Sequence, residues 1–269
     1  YNGDEPVNFL GGSSPFILKG LFIAMTFGLV GRKLGHSFSA KYFNDKFLKE
    51  GLDCRYVNFE IPSIDVLPAL LQGIPDLKGF NVTIPYKEAI KPYLQQLTPA
   101  AQEVGAVNTV KITANGRIGH NTDLEGFEKA LSLLLGNAAV RKALILGTGG
   151  ASKAVAAALK RRGTEFQFVS RSKECLHYAD LTPELIAEND LIVNATPLGT
   201  WPDVESKPDI PYSALSKRHF CLDLVYNPAE TAFMKASAEN GAAVSNGLTM
   251  LHAQADAAWQ FWNDHVTYP

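Results

Sequence analysis

Cysteine is scarce, with Cys54, Cys175 and Cys221 the only three in 269 residues. An odd number of widely spaced thiols with no Cys-x-x-Cys excludes a disulfide-stapled scaffold and the common zinc or redox motifs. Ordinary thiols in a reducing cytoplasm are expected. An excess of one charge is also missing. Lys and Arg number 25 against 27 Asp and Glu, a formal net charge of -2, so no broad field would hold nucleic acid or an acidic membrane. No apolar run is long enough to span a bilayer, because the stretch from Pro15 to Ala24 is broken by Lys19 and Gly20. The histidines form no close pair at ligand spacing, which excludes the usual metal centres, and no Gly-x-Ser-x-Gly elbow points to a serine hydrolase. Internal repeats and low-complexity tracts are absent.

What is present is a chain of about two domain lengths, 46% apolar, enough to bury a core in each. Residues 1–24 are expected to be an extension without a part in chemistry. Asp4 and Glu5 lead it where a signal peptide would carry basic residues, and Met25-Thr-Phe-Gly-Leu-Val-Gly has the pattern of a natural beginning. From there, alternation predicts strands at 26–30, 55–60, 79–84, 107–112 and 117–120, the last two joined by an Asn115-Gly116 turn. Helices are predicted at 38–50, 63–72, 87–95 and 124–135. Beyond Arg141 the pattern sharpens into strands 142–146, 166–170, 191–194, 220–224 and 242–245. Helices 150–162, 182–187 and 229–239 are set between them, and a final helix runs from 248 to about 263. The expected fold is α/β: a parallel, doubly wound Rossmann-like sheet preceded by a second α/β unit.

The strongest local signal is Gly147-Thr148-Gly149-Gly150-Ala151-Ser152, set between an apolar strand and an alanine-rich helix. Gly147 allows a tight turn, Gly149 lets backbone approach a pyrophosphate, and the helix start offers its N–H groups to it. Packing of helix on strand is the plainer alternative. An NAD-preferring chain carries an acidic residue at the end of the second strand, whereas this one has Ser170-Arg171-Ser172. A guanidinium there can pair with a 2′-phosphate, so NADP is the expected cofactor, with a solvated surface arginine as the alternative.

In the first half, Asn81 and Thr83 share a strand face, and Pro85 ends the strand so that Lys87 falls at its carboxyl end. Asn108 stands at a strand start. Asp123 precedes an amphipathic helix, and taken alone it reads as that helix's N-cap. Ser37 and Ser39 also precede or open a helix, with capping again the bland explanation.

Taken in order, these segments resemble the shikimate dehydrogenase family from Met25 almost to the end. His36-Ser37-Phe38-Ser39 is similar to the family's carboxylate-binding serine motif, and Asn81-Val82-Thr83-Ile84-Pro85-Tyr86-Lys87 to its catalytic-lysine segment. Gly105-Ala106-Val107-Asn108-Thr109 and Asn121-Thr122-Asp123 match the segments bearing a substrate asparagine and the catalytic aspartate. Asn194-Ala195-Thr196 is similar to the loop beside the nicotinamide, and Asp223-Leu224-Val225-Tyr226-Asn227-Pro228 to the segment with a substrate-contacting tyrosine. Gly247-Leu248-Thr249-Met250 through Gln254 resembles the closing helix, with Gly247 and Met250 near the nicotinamide and Gln254 at the substrate. Two departures stand out: Ser170-Arg171-Ser172 replaces a frequent Asn-Arg-Thr, and Pro197 replaces the usual serine after Asn-Ala-Thr.

The resemblance implies reversible reduction of 3-dehydroshikimate to shikimate with NADPH, on the route to chorismate and the aromatic amino acids. It implies Lys87 and Asp123 as the catalytic pair. Ser37, Ser39, Asn81, Thr83, Asn108, Tyr226 and Gln254 join them as substrate-binding residues. Cofactor contacts are expected from Gly147, Gly149, Gly150, Ala151, Ser170, Arg171, Ser172, Asn194, Thr196, Gly247 and Met250. Residues 25–123 with 247–269 would form the substrate-binding domain and 124–246 the NADP-binding domain, in a cytoplasmic monomer or homodimer. A quinate/shikimate dehydrogenase using NAD as well, or a non-catalytic metabolite-binding relative, are the alternatives.

Overall fold

The computed structural model describes residues 25–35 and 37–264. The expectations for residues 1–24 and for His36 lie outside the described residues.

Apolar Met25–Gly31 forms β1, buried from its second residue onward. α1 (Phe38–Glu50) sends Phe43 and Phe47 into the core, and β2 (Cys54–Glu60) returns parallel to β1. After a 3-10 turn at Ile64–Val66 come α2 (Leu67–Gln72) and β3 (Leu77–Val82), the latter on the other side of β1. β4 (Gln96–Leu97), α3 (Pro99–Val104) and the antiparallel pair β5 (Thr109–Thr113) and β6 (Gly116–His120) complete a mixed sheet of order β2-β1-β3-β5-β6-β4.

α4 (Thr122–Leu135) leads into the second sheet. There β7 (Lys142–Leu146), α5 (Gly150–Arg161), β8 (Glu165–Val169), α6 (Pro183–Glu188) and β9 (Leu191–Asn194) follow one another. β10 (Phe220–Asp223), α7 (Ala232–Glu239) and β11 (Ala243–Ser245) finish it as five parallel strands in the order β11-β10-β9-β7-β8. The central strands are apolar apart from their ends because helices cover both faces: Ala143 and Ile145 point into one core, Leu144 and Leu146 into the other. This is the doubly wound sheet expected from the sequence. β7 is its switch point, where the chain winds first towards β8 and then towards β9. Ligands of open α/β sheets gather at the strand ends beside such a point.

α8 (Leu248–Asn263) packs along α4 and reaches back to β3 and β5 of the first sheet. Gly126 makes this close crossing possible, since a Cβ there would lie 2.7 Å from the Met250 carbonyl oxygen and 3.1 Å from Gln254 Cβ. Gly126→Ala must push the two helices apart. We expect a loss of about 1–3 kcal/mol in urea-unfolding free energy; an unchanged midpoint would show that the helices can part without cost.

Sequence and structure differ in places with identifiable causes. The helix predicted at 87–95 is a series of turns ending in a 3-10 turn at Lys91–Tyr93. Pro92 lacks an N–H and disfavours helical geometry at Lys91. The helix predicted from 63 starts as a 3-10 turn and becomes α-helical only at Leu67, just before Pro68. α3 is absent from the predicted elements, yet it carries ordinary signals: Thr98 accepts a hydrogen bond from the Ala101 N–H, Pro99 opens the helix, and Gly105 ends it at φ 73°.

Candidate active site

The loop after β1, the end of β3, the start of β5, the first turn of α4 and the inner face of α8 surround a cavity of about 520 Å³. Ser37 and Ser39 line it from the start of α1, Asn81, Thr83 and Lys87 from β3 and the turns beyond it. Asn108, Asp123, Tyr226 and Gln254 close the remaining sides, so all nine residues expected at the substrate come together.

Lys87 and Asp123 are separated by 36 positions in the chain, and their Nζ and Oδ2 stand 2.5 Å apart. Both side chains are largely withdrawn from solvent. Asp123 does not cap α4. That role falls to Asn121, whose Oδ1 accepts from the Leu124 N–H at 3.2 Å, leaving both Asp123 oxygens free for the cavity side. Oδ1 accepts from Asn108 Nδ2 at 2.9 Å. Asn108 is itself fixed, its Oδ1 accepting from the Thr122 N–H at 2.8 Å. Asn81 Nδ2 donates to Thr109 Oγ1 at 3.0 Å, while its Oδ1 accepts from Tyr56 Oη at 2.8 Å. Burial pushes the Tyr56 hydroxyl well above its ordinary range, opposed by a hydrogen bond with Ser39. A satisfied buried network of this kind holds its members in one arrangement.

Capping is likewise not the role of Ser37. It occupies the N-cap position of α1 but makes no side-chain cap, and its Oγ is buried without a hydrogen-bond partner. A buried hydroxyl left unpaired in a polar cavity is available to a ligand.

A second cavity, of about 1340 Å³, lies over the carboxyl ends of β7, β8 and β9. Gly147, Gly149, Gly150 and Ala151 line it, together with Ser170, Arg171, Ser172 and Thr196. Gly147 sits at φ 104°, with its N–H donating to the Val169 carbonyl at 2.8 Å. That conformation belongs to glycine. Gly149 caps α5, and a Cβ built on it would meet nothing within 4 Å, so the backbone there stands open to the cavity. Three expected cofactor residues are placed differently. Gly247 and Met250 line the smaller cavity. Asn194 is fully buried behind the loop, with Nδ2 donating to Asp223 Oδ1 at 2.9 Å and Oδ1 accepting from the Thr196 N–H at 3.0 Å. It shapes the loop rather than lining either cavity.

The two cavities adjoin, sharing Ala151, Leu224 and Tyr226. Their floors meet at the catalytic lysine candidate: a Cβ on Gly150 would sit 3.4 Å from Lys87 Cδ. Lys153 of α5 also pairs with Glu88 at 2.7 Å, tying a helix of the second sheet to the turns that carry Lys87. Sequence reasoning missed Lys33 and Phe38 in the smaller cavity, and Ile84, Tyr178 and Trp201 in the larger. Ile84 and Trp201 carry the clearest available signal, apolar side chains left 71% and 68% exposed in loops.

Asp223 supports this junction from below. Its Oδ2 accepts from Thr231 Oγ1 at 2.6 Å and its Oδ1 from the Val225 N–H at 3.0 Å. Burial outweighs those donors and pushes its pKa up to about 6. Between about pH 4 and 6 the folded chain therefore holds a proton that the unfolded chain releases, so this stabilising contribution is full below about pH 4 and lost above about 6. The two-unit displacement corresponds to about 3 kcal/mol. Asp223→Asn keeps the Oδ1 acceptor and removes the titration. Relative to it, the native chain should lose stability in urea titrations as pH rises from about 4 to about 7; parallel pH profiles would contradict the raised value.

A glycine-rich turn at a sheet's switch point, lining one cavity beside a second, polar one that holds a lysine–carboxylate pair, is the arrangement of a dinucleotide-dependent oxidoreductase. Comparison with known proteins gives the particular family. Residues 29–110 match the shikimate dehydrogenase substrate binding domain. The chain is 36% identical to the shikimate dehydrogenase (NADP(+)) of Caldanaerobacter subterraneus subsp. tengcongensis over 256 residues, covering 88% of this chain and 90% of that one. It is similar to the crystal structure of shikimate 5-dehydrogenase from Thermus thermophilus in complex with NADP(H) and shikimate, with a TM-score of 0.77 and 32% identity, covering 89% of this chain and 93% of that one. Quinate dehydrogenase from Corynebacterium glutamicum in complex with NAD gives a TM-score of 0.81 at 29% identity, covering 89% of this chain and 94% of that one. The chain belongs to the shikimate dehydrogenase family.

Proposed function

We propose that this protein reduces 3-dehydroshikimate to shikimate reversibly with NADPH, and that Lys87 and Asp123 carry the proton chemistry. The observation that supports this most is the placement of their 2.5 Å pair where the substrate-sized cavity meets the glycine-rich turn.

The residues present fit the cofactor. The open backbone at Gly149 and the start of α5 suit a pyrophosphate. Arg171, exposed and lining the same cavity, suits a 2′-phosphate. When bound, the cofactor supplies the hydride.

Lys87 Nζ donates a proton to the ketone oxygen as negative charge develops there. Asp123 Oδ2 keeps that ammonium aimed and balances its charge, while Asn108 Nδ2 holds the other carboxylate oxygen. Ser37, Ser39 and Tyr226 offer hydroxyls to the substrate carboxylate. Asn81, Thr83, Asn108, Asp123 and Gln254 offer donors and acceptors to its ring hydroxyls. Such a lining selects by leaving its own polar groups unpaired around a wrong ligand. The chain's unpaired thiols suit a reducing cytoplasm.

Likeness to a quinate dehydrogenase gives the second reading. Following absorbance of the reduced cofactor, the chain should oxidise shikimate with NADP⁺ far faster than quinate with NAD⁺. Equal or faster turnover of quinate would transfer it to the second reading, and no turnover of either would remove the enzymatic one.

A further inference from the structure

Three residues with formal charges line the smaller cavity: Lys33, Lys87 and Asp123. The last two form an ion pair and cancel. Lys33 therefore leaves the described walls with one net positive charge, although none of the residues expected at the substrate carboxylate is charged. We propose that Lys33 is a further substrate-binding residue that draws in and holds the substrate's carboxylate by charge, beside the neutral hydroxyls of Ser37, Ser39 and Tyr226. This rests on the reaction proposed above and specifies how its anionic substrate is recognised.

The loop after β1 supports the assignment. Lys33 is exposed, and its ammonium has no hydrogen bond or ion pair among the described residues. Its backbone is nevertheless held in place by the next residue. Leu34 is buried, its N–H donates to Glu60 Oε1 at 2.5 Å, and its carbonyl accepts from the Ser37 N–H at 3.0 Å. The Glu60 oxygen is thus engaged with backbone. Arg32, the neighbouring cation, lies over the Tyr86 ring at 5.8 Å and does not line the cavity. A free ammonium stands on the same short loop as Ser37, whose buried hydroxyl also has no partner. Both residues line the same cavity, so the loop offers an entering anionic group a charge as well as a hydroxyl. An exposed cation attracts such a group over a Debye length, about 30 Å at 0.01 M salt and about 3 Å at 1 M.

Lys33→Gln and Lys33→Arg test this by steady-state kinetics with shikimate and with its methyl ester, which keeps the ring hydroxyls but not the charge. At low salt, Lys33→Gln should raise KM for shikimate about tenfold, or about 1.4 kcal/mol. kcat should stay within about twofold, since the proton donor is untouched. KM for the ester should match that of the native chain, and Lys33→Arg should restore most of the loss. Raising salt should erase the difference between Lys33→Gln and the native chain. An active native chain with unaltered shikimate KM in Lys33→Gln would overturn the role of Lys33 alone. So would a rise in KM equal for acid and ester, which indicates loop disturbance. A native chain that oxidises no shikimate would overturn this proposal together with the reaction it rests on.

Discussion

Lys87→Ala should lower turnover by about a hundredfold or more, with NADPH affinity nearly intact. In the proposed reaction the Lys87 ammonium is the proton donor; it stands 2.5 Å from Asp123 and against Gly150 at the edge of the larger cavity. Its removal takes away the group that meets developing charge on the ketone oxygen, and it leaves the Asp123 carboxylate without its cation. Lys87→Met keeps the length of the side chain and separates lost chemistry from lost packing, so it should be about as slow as the alanine variant. NADPH titrated by fluorescence should bind both variants with little change, because the glycine-rich turn and Arg171 are untouched. Turnover at the native level in either variant would remove Lys87 from the mechanism.

Arg171→Ala should weaken NADPH by about 10- to 100-fold and NADH by far less. A hydrogen bond to a charged group contributes about 1.5–3 kcal/mol, and only the first cofactor carries the 2′-phosphate that would receive it. Arg171 follows β8 directly after Ser170, whose Oγ accepts from the Ser172 N–H at 3.0 Å. That turn places the guanidinium segment on the wall of the larger cavity. Equal losses for the two cofactors would show that Arg171 serves the adenosine in general, or the fold, and not the phosphate.

The second sheet was legible because its strands are buried on both faces and its turns are punctuated by glycine. A continuous run such as Ala143-Leu144-Ile145-Leu146 before Gly147 admits few other structures. The first sheet was harder. The short strand β4 and the one-and-a-half-turn helix α3 carry too few residues for a period to show, and Pro92 broke a pattern that looked helical. At the site, residue types and motif order brought Lys87, Asp123 and their polar neighbours to one cavity. Local signals alone misassigned Asp123, since Asn121 and Asp123 both stand at the start of α4 and only the geometry shows that Asn121 caps it. Lys33 gave no signal, because a solvated lysine in a loop has the same sequence signature as one lining a cavity. Asn194 gave a misleading one: a motif beside the nicotinamide does not say which of its side chains turns inward, and this one is spent on Asp223 and Thr196.

The most direct test follows deuterium from NADPH, labelled at the transferable position, into the product of 3-dehydroshikimate reduction. The account predicts shikimate carrying one deuterium on the newly formed carbinol carbon, made by the native chain and about a hundredfold more slowly by Lys87→Ala. Unlabelled shikimate, or none from the native chain, would contradict it.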